Sequence, residues 1–211
     1  LFVCILEEAN AASEWSIHMK NCKECAPALY QRETPRRSVA VSTFQMDTHE
    51  VSNQEFAAWL NRQHSIQIDA QWNRMVSRDQ VFIYDLGQDE SQPLRPQGLL
   101  WESGRFKVRP GMADKPVVFV SWRGAWLYCQ DHGKRLPTEA EWELPSRGPE
   151  RRRFPWGNND PGCSDAVFNW QESSLVCDRT TRVQPENVMS AARDRTPEGI
   201  YDLGGNVAEW V

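Results

Sequence analysis

No stretch of this chain approaches the roughly 20 consecutive apolar residues that a helix needs to cross a bilayer, so the sequence predicts no transmembrane segment. Basic tracts are equally scarce. The densest, Arg151-Arg152-Arg153, is short and sits beside acidic neighbours, which predicts a solvated loop and argues against a nucleic-acid surface. There is no second cysteine pair at zinc-ribbon spacing to join Cys22-Lys23-Glu24-Cys25, and no thioredoxin-like strand-to-helix context around it. A local disulfide or an unpaired pair is therefore expected there, ahead of a redox centre or half a metal site. The chain also starts without an initiator Met and without a basic n-region. Leu1 to Leu6 is nonetheless an apolar hexamer, and Ala9-Asn10-Ala11 has the small-x-small form of a signal cleavage site. Residues 1–14 are thus expected to be an export-signal remnant or an N-terminal extension, and the protein to be periplasmic or extracellular.

What the chain does contain suits one domain of generous size: 211 residues can bury a substantial core. The net charge of -5 and a mean hydropathy of -0.65 fit a soluble, mildly acidic protein. Ten tryptophans provide large apolar faces, suited to anchoring a loop-rich core or to lining a carbohydrate or peptide groove. The six cysteines are an even number. Cys163 and Cys177 flank a loop-like stretch that a disulfide would stabilise by about 3 kcal/mol in the chain-entropy picture. Cys129 falls on the apolar face of a helix, where a buried, inert thiol is expected.

Local patterns place three helices. Ser52-Asn53-Gln54-Glu55 has the S-x-x-E form of a capping box, followed by Phe56, Trp59 and Leu60 at i, i+3 and i+4. Alternation over Val39 to Met46 predicts a strand before it. Pro116 opens an apolar run, Val117 to Val120, fit for a buried strand. Ser121 then caps a helix with Trp122, Ala125, Trp126 and Cys129 on one face, ending near Gly133. Thr138 to Glu141 is a second capping box, and Pro145 is expected to end or kink that helix early. Between them, Val81 to Tyr84 and Leu99 to Trp101 suit short strands, and Trp101 to Phe106 a hairpin around Ser103-Gly104.

Two segments are distinctive in wording as well as in pattern. They are KPVVFVSWRGAWLYCQDHGKRLPTEAEWE, from Lys115 to Glu143, and YDLGGNVAEW, from Tyr201 to Trp210. Both resemble signature segments of the formylglycine-generating enzyme family, also called sulfatase-modifying factors; MDTHEVSNQEFAAWLN and FPWGN add to the resemblance. It implies an α+β fold related to C-type lectins, with short helices, small antiparallel sheets and much loop, over residues 15–211. The domain is expected to lack its C-terminal end.

Chemistry concentrates in the second segment. Asp202, Asn206 and Glu209 offer hard oxygen donors around Gly204-Gly205, which suits Ca2+ with its six to eight oxygen ligands. The alternative is that Asp202 and Asn206 satisfy turn amides while Glu209 sits at the surface or core edge. The resemblance implies structural calcium held by Asp202, Glu209 and carbonyls near Gly205 and Val207. It also implies a second calcium site at Asn169 and Trp170, for which Asp178 is the nearest acidic candidate.

The family's reaction oxidises a sulfatase cysteine to formylglycine with molecular oxygen and a copper ion held by two thiolates. The resemblance places those cysteines after the segment matching Gly205 to Trp210, and none of the six here matches them, so no catalytic residue is assigned. The expectation is a fragment of such an enzyme, a non-catalytic relative or an accessory maturation module, with an unfolded sulfatase peptide or another protein as partner. The alternative is a calcium-stabilised, lectin-like module that presents loops such as Gln63 to Pro110 to a protein or carbohydrate.

Overall fold

Capping chemistry sets where the helices begin. In the computed structural model, which describes residues 4–8, 38–69, 75–86, 97–162, 164–167 and 185–211, helix α1 spans Asn53–Leu60. Ser52 Oγ accepts from the Glu55 amide at 3.3 Å, and the Glu55 carboxylate accepts from the Ser52 amide at 2.8 Å. Reciprocal bonding of this kind satisfies two amides that a helix start otherwise leaves orphaned. Helix α2, Trp122–Asp131, is capped by Ser121 and stops ahead of Gly133 at φ 70°, the left-handed position that glycine tolerates. Helix α3, Glu139–Arg147, repeats the capping box with Thr138 and Glu141.

Among the described residues the strands form three small antiparallel sheets. Strand β1, Ile5–Glu8, pairs with β2, Ser42–Met46. Strands β3 (Ile66–Ile68), β4 (Met75–Arg78) and β5 (Val81–Asp85) follow in that order. Strands β6 (Leu99–Glu102) and β7 (Arg105–Val108) close a hairpin through Ser103 and Gly104, whose φ values of 52° and 76° are those of a two-residue type I′ turn. With three short helices and small antiparallel sheets among the described residues, this is the α+β, loop-rich arrangement expected. Among the described residues no helix is long and apolar enough to cross a membrane.

The core gathers on α1 and α2. Phe56 lies 5.0 Å from Trp59 and 5.7 Å from Tyr128 between ring centroids, with Tyr84 of β5 at 5.9 Å. Trp59 is fully buried, yet its indole N–H finds the Asp131 carboxylate at 2.9 Å, as a buried donor must.

Five local expectations are corrected. Cys129 is not a free thiol: it forms a disulfide with Cys4, 125 residues away, and both are buried. Val117 to Val120 is not a regular strand but an extended run held by the isolated bridges Ser52–Pro116 and Tyr84–Val120. Phe119 breaks it at φ 64° and turns outward, 37% exposed, while its carbonyl accepts from the Asp85 amide at 3.1 Å.

The buried face of α2 is Gly124, Ala125, Tyr128 and Cys129, so Trp122 is 38% exposed instead of facing the core. Gly124 explains the rotation: a Cβ there would stand 2.4 Å from the Ile83 carbonyl, so the helix docks its smallest face on β5. Pro145 lies inside α3 without ending it. Proline removes only its own amide, and the ladder resumes with Gly148 donating to the Leu144 carbonyl at 2.7 Å. Arg152 is buried at 8% exposure, where its guanidinium donates to the Pro145 carbonyl at 2.8 Å and pairs with Glu150 at 3.2 Å. Only its neighbours in the basic triplet are solvated.

Candidate functional site

After α3 the described chain has no further helix or strand, and isolated backbone bonds together with hydrogen bonds from side chains do the holding. A hairpin-like bridge, Arg195–Tyr201, delivers Tyr201, whose amide donates to the Thr48 carbonyl at 2.9 Å. This contact sets the Tyr201–Trp210 turn against the segment that leads into α1. Within the turn the left-handed backbone positions are Asp202, at φ 61°, and Asn206, at φ 62°. Asx residues reach that region more readily than other side chains do.

Gly204 and Gly205 answer a different need. A Cβ on Gly204 would lie 2.7 Å from the Trp156 ring, and one on Gly205 would lie 2.6 Å from the Val167 carbonyl. The glycines are there for close approach, and the Asx residues for the bend.

Each polar side chain of the turn has a defined task. Asp202 Oδ2 accepts from the Met189 amide at 2.6 Å. Asn206 bridges two segments: its Nδ2 donates to Glu50 Oε1 at 3.0 Å, and its Oδ1 accepts from the Glu186 amide at 3.0 Å. Glu209 Oε2 accepts the indole N–H of Trp142 from α3. The carbonyl of Gly205 accepts from the Val207 amide at 2.8 Å. Asp202, Gly205, Asn206, Val207 and Glu209, the expected cation residues, thus share one turn. Asn169, Trp170 and Asp178 lie outside the described residues, as do Cys22, Cys25, Cys163 and Cys177.

Two carboxylates join the turn that sequence reasoning did not assign. Glu50 is 0% exposed and faces Asp202 and Glu209. Asp194, also wholly buried, accepts the Gly204 amide at 2.9 Å. Glu50 stands two residues before the α1 cap in a segment already singled out, but nothing local marks a carboxylate for burial.

The cluster has more acid than a buried site can keep ionised. Burial, followed by the charges of Asp202 and Glu209, pushes Glu50 up to about 9. Asp194 rises to about 7, chiefly by burial and against the pull of the Gly204 amide. Burial raises Glu209 to about 7 despite the Trp142 donor, and it raises Asp202 as well. Like charges in low dielectric repel, so such a cluster must hold protons or a cation.

Three of its oxygens are buried without a hydrogen-bond partner: Glu50 Oε2, Asp202 Oδ1 and Glu209 Oε1. Unsatisfied hard oxygens beside backbone carbonyls have the donor chemistry that Ca2+ takes. Among the described residues no group of three or more His, Cys, Asp or Glu side chains is poised around one metal position. An ion at the turn would therefore draw on carbonyl oxygens as well. For copper the described donors do not fit, because the sulfurs of Cys4 and Cys129 are bonded to each other and present no thiolate.

Comparison with known proteins bears on this site. The family described as sulfatase-modifying factor enzyme 1-like domain matches residues 14–211. The formylglycine-generating enzyme of Bos taurus is 33% identical over 193 residues, which cover 85% of this chain and 51% of that protein. The inactive C-alpha-formylglycine-generating enzyme 2 of Bos taurus is 34% identical over 203 residues, or 85% of this chain and 62% of that protein. A serine/threonine-protein kinase pkn1 of Chlamydia pneumoniae is 34% identical over 179 residues, or 84% of this chain and 24% of that protein. The chain therefore spans between a quarter and about three-fifths of the length of these relatives.

Proposed function

Because the chain belongs to the sulfatase-modifying factor enzyme 1-like domain family, we propose that it forms the cation-stabilised scaffold of a formylglycine-generating-enzyme-type domain, with no catalytic residue of its own among residues 1–211. The observation that carries this reading is the buried carboxylate turn: three oxygens lacking hydrogen-bond partners, held between α3, the α1 approach and the Asp194 loop. Asp202 and Glu209, with the carbonyls of Gly205 and Val207, would hold Ca2+. The ion would supply the positive charge that four buried carboxyls require.

The matched relatives carry names of an active enzyme, an inactive counterpart and a kinase. Names so divergent fit a shared scaffold whose activity depends on residues outside the common part. If the whole protein carries the two copper-binding cysteines that the resemblance places after Trp210, it is an oxygen-dependent oxidoreductase acting on an unfolded sulfatase peptide, and an exported one. A binding role is favoured by one feature. Trp101 stands 42% exposed on the β6–β7 hairpin, within the stretch expected to present loops to a partner.

The test is direct. The 211-residue chain, incubated with a Cys-x-Pro-x-Arg peptide, Cu(I) and oxygen, is expected to give no formylglycine by mass spectrometry. Any turnover would remove the scaffold reading.

A further inference from the structure

A cavity of about 360 Å³ lies between the solvent side of α1 and the end of α2, within the roughly 300–1,000 Å³ usual for small-molecule sites. Val51, Glu55, Ala58 and Arg62 recur at i, i+4, i+7 and i+11 along α1 and its flanks, so a single stripe of that helix lines it. Tyr128 and His132, four residues apart, come from the end of α2, and Asp47 to His49 with Lys134 complete the lining. The Tyr201–Trp210 turn contributes no residue to it. Ala58, exposed on α1, keeps the space open by its small size.

The two imidazoles are held alike. A carbonyl oxygen can only accept, so His132 Nδ1 donates to the Tyr128 carbonyl at 2.8 Å, and His49 Nδ1 donates to the Glu50 carbonyl at 2.9 Å. Each ring is thereby oriented with Nε2 left over, an acceptor in the neutral ring and a donor in the imidazolium. A hydroxyl suits either form, because it both donates and accepts. The acids of the cavity are already committed: Asp47 accepts from Lys134, and Glu55 accepts from the Ser52 amide at 2.8 Å and its hydroxyl at 2.7 Å. Arg62 differs, since among the described residues its guanidinium has no hydrogen bond or ion pair. That planar fork matches a carboxylate in geometry and charge.

We propose that this cavity binds a small hydroxylated carboxylate, of the class of a hexuronic acid, with its acid group on Arg62 and its hydroxyls on His49 and His132. The inference is independent of the cation reading. Three carbonyls at the end of α2, which would otherwise repel an acid group, are taken: Tyr128 by His132 Nδ1, Cys129 by the Lys134 amide at 2.8 Å and Gln130 by the Gly133 amide at 3.0 Å. Lys134 keeps donors beyond the one it gives Asp47, and Thr48 adds a hydroxyl. A ligand that lacks either the acid or the hydroxyls leaves half of these groups unmatched.

The experiment titrates the full chain with glucuronate and follows saturation-transfer NMR together with the imidazole C–H shifts of His49 and His132. Wild type is expected to saturate, with both histidines shifting. Glucose, without the acid, and acetate, without the hydroxyls, should bind at least tenfold more weakly. Arg62→Gln is expected to weaken glucuronate binding at least tenfold. Ala58→Leu, which fills the cavity from an exposed position and removes no polar group, should do the same. Arg105→Gln, at an exposed site on β7, should bind as wild type does, and circular dichroism verifies that each variant folds. Acetate matching glucuronate would reduce the site to one for any anion and overturn the role of the histidines. Glucose matching glucuronate, or Arg62→Gln binding unchanged, would overturn the role of Arg62. An equal loss in Arg105→Gln would mean diffuse charge attraction, and no saturable shift in wild type would remove the site, each leaving the cation reading untouched.

Discussion

The indole N–H of Trp142 on α3 donates to the carboxylate of Glu209, so the two most distinctive segments of the sequence meet there, as they do where the Trp210 indole donates to the Val120 carbonyl at 3.0 Å. The Trp142 bond gives a buried carboxyl its one donor. Trp142→Phe keeps an aromatic ring but deletes that donor, and it is expected to destabilise the protein by about 1–3 kcal/mol in urea unfolding. A loss within a few tenths of a kcal/mol would mean that the bond contributes nothing.

The acidic cluster sets a pH dependence in metal-free protein. Glu50, Asp194 and Glu209 have folded-state values raised to about 9, 7 and 7, above ordinary values of 4.5, 3.8 and 4.5. The folded state therefore binds more protons than the unfolded chain once pH exceeds about 4, and stability falls as pH rises. The loss should run from about pH 4 to pH 7 for Asp194 and Glu209, and on to about pH 9 for Glu50. Melting temperature in EDTA, followed between pH 5 and 9, should decline; a flat or rising profile contradicts the cluster's protonation.

Calcium should oppose that decline, because an ion that binds only the folded state stabilises it by mass action. At pH 8, millimolar Ca2+ is expected to raise the melting temperature of wild type, and to leave Asp202→Ala with Glu209→Ala unaffected. An equal rise in the double variant would locate the ion elsewhere.

The Cys4–Cys129 disulfide closes a loop of 125 residues. In the chain-entropy picture a bridge of that span contributes about 4–5 kcal/mol. Cys129→Ala should lower the denaturant midpoint and leave Cys4 open to alkylation in unfolded protein under non-reducing conditions. Wild type should resist that alkylation unless it is first reduced.

Helix propensity alone predicts that Gly124→Ala would stabilise α2 by up to about 1 kcal/mol. The structure reverses the sign, because the new methyl would stand 2.4 Å from the Ile83 carbonyl. Overpacking of this kind costs about 1–3 kcal/mol, so the variant is expected to melt lower than wild type.

How far the sequence could be read depended on the range of each interaction. Ser52 with Glu55, and Thr138 with Glu141, are three residues apart, and their capping boxes form as spacing predicts. Ser103-Gly104 likewise makes its expected turn. Trp122 was misplaced because apolarity alone does not say which part of a helix docks; Gly124, an unremarkable residue in the pattern, allows the approach that decides it. Arg152 in a basic triplet reads as solvated, yet the open carbonyl of Pro145 and a nearby Glu150 draw it inward. At the site, Asp202, Asn206 and Glu209 were legible because one turn carries them all. Glu50 and Asp194 were not, since a carboxylate in a loop carries no local sign of being buried.

The sequence by itself determined the family, the starts of the three helices and the residues of the acidic turn, all of which rest on contacts between near neighbours or on long shared wording. Tertiary structure alone decided that Cys4 finds Cys129, that Phe119 turns outward, and that Glu50 is carried to the turn from across the chain. Those outcomes depend on which distant surfaces are brought into contact and kept from water, and the free energy of a buried charge or a closed loop is defined only once that has happened.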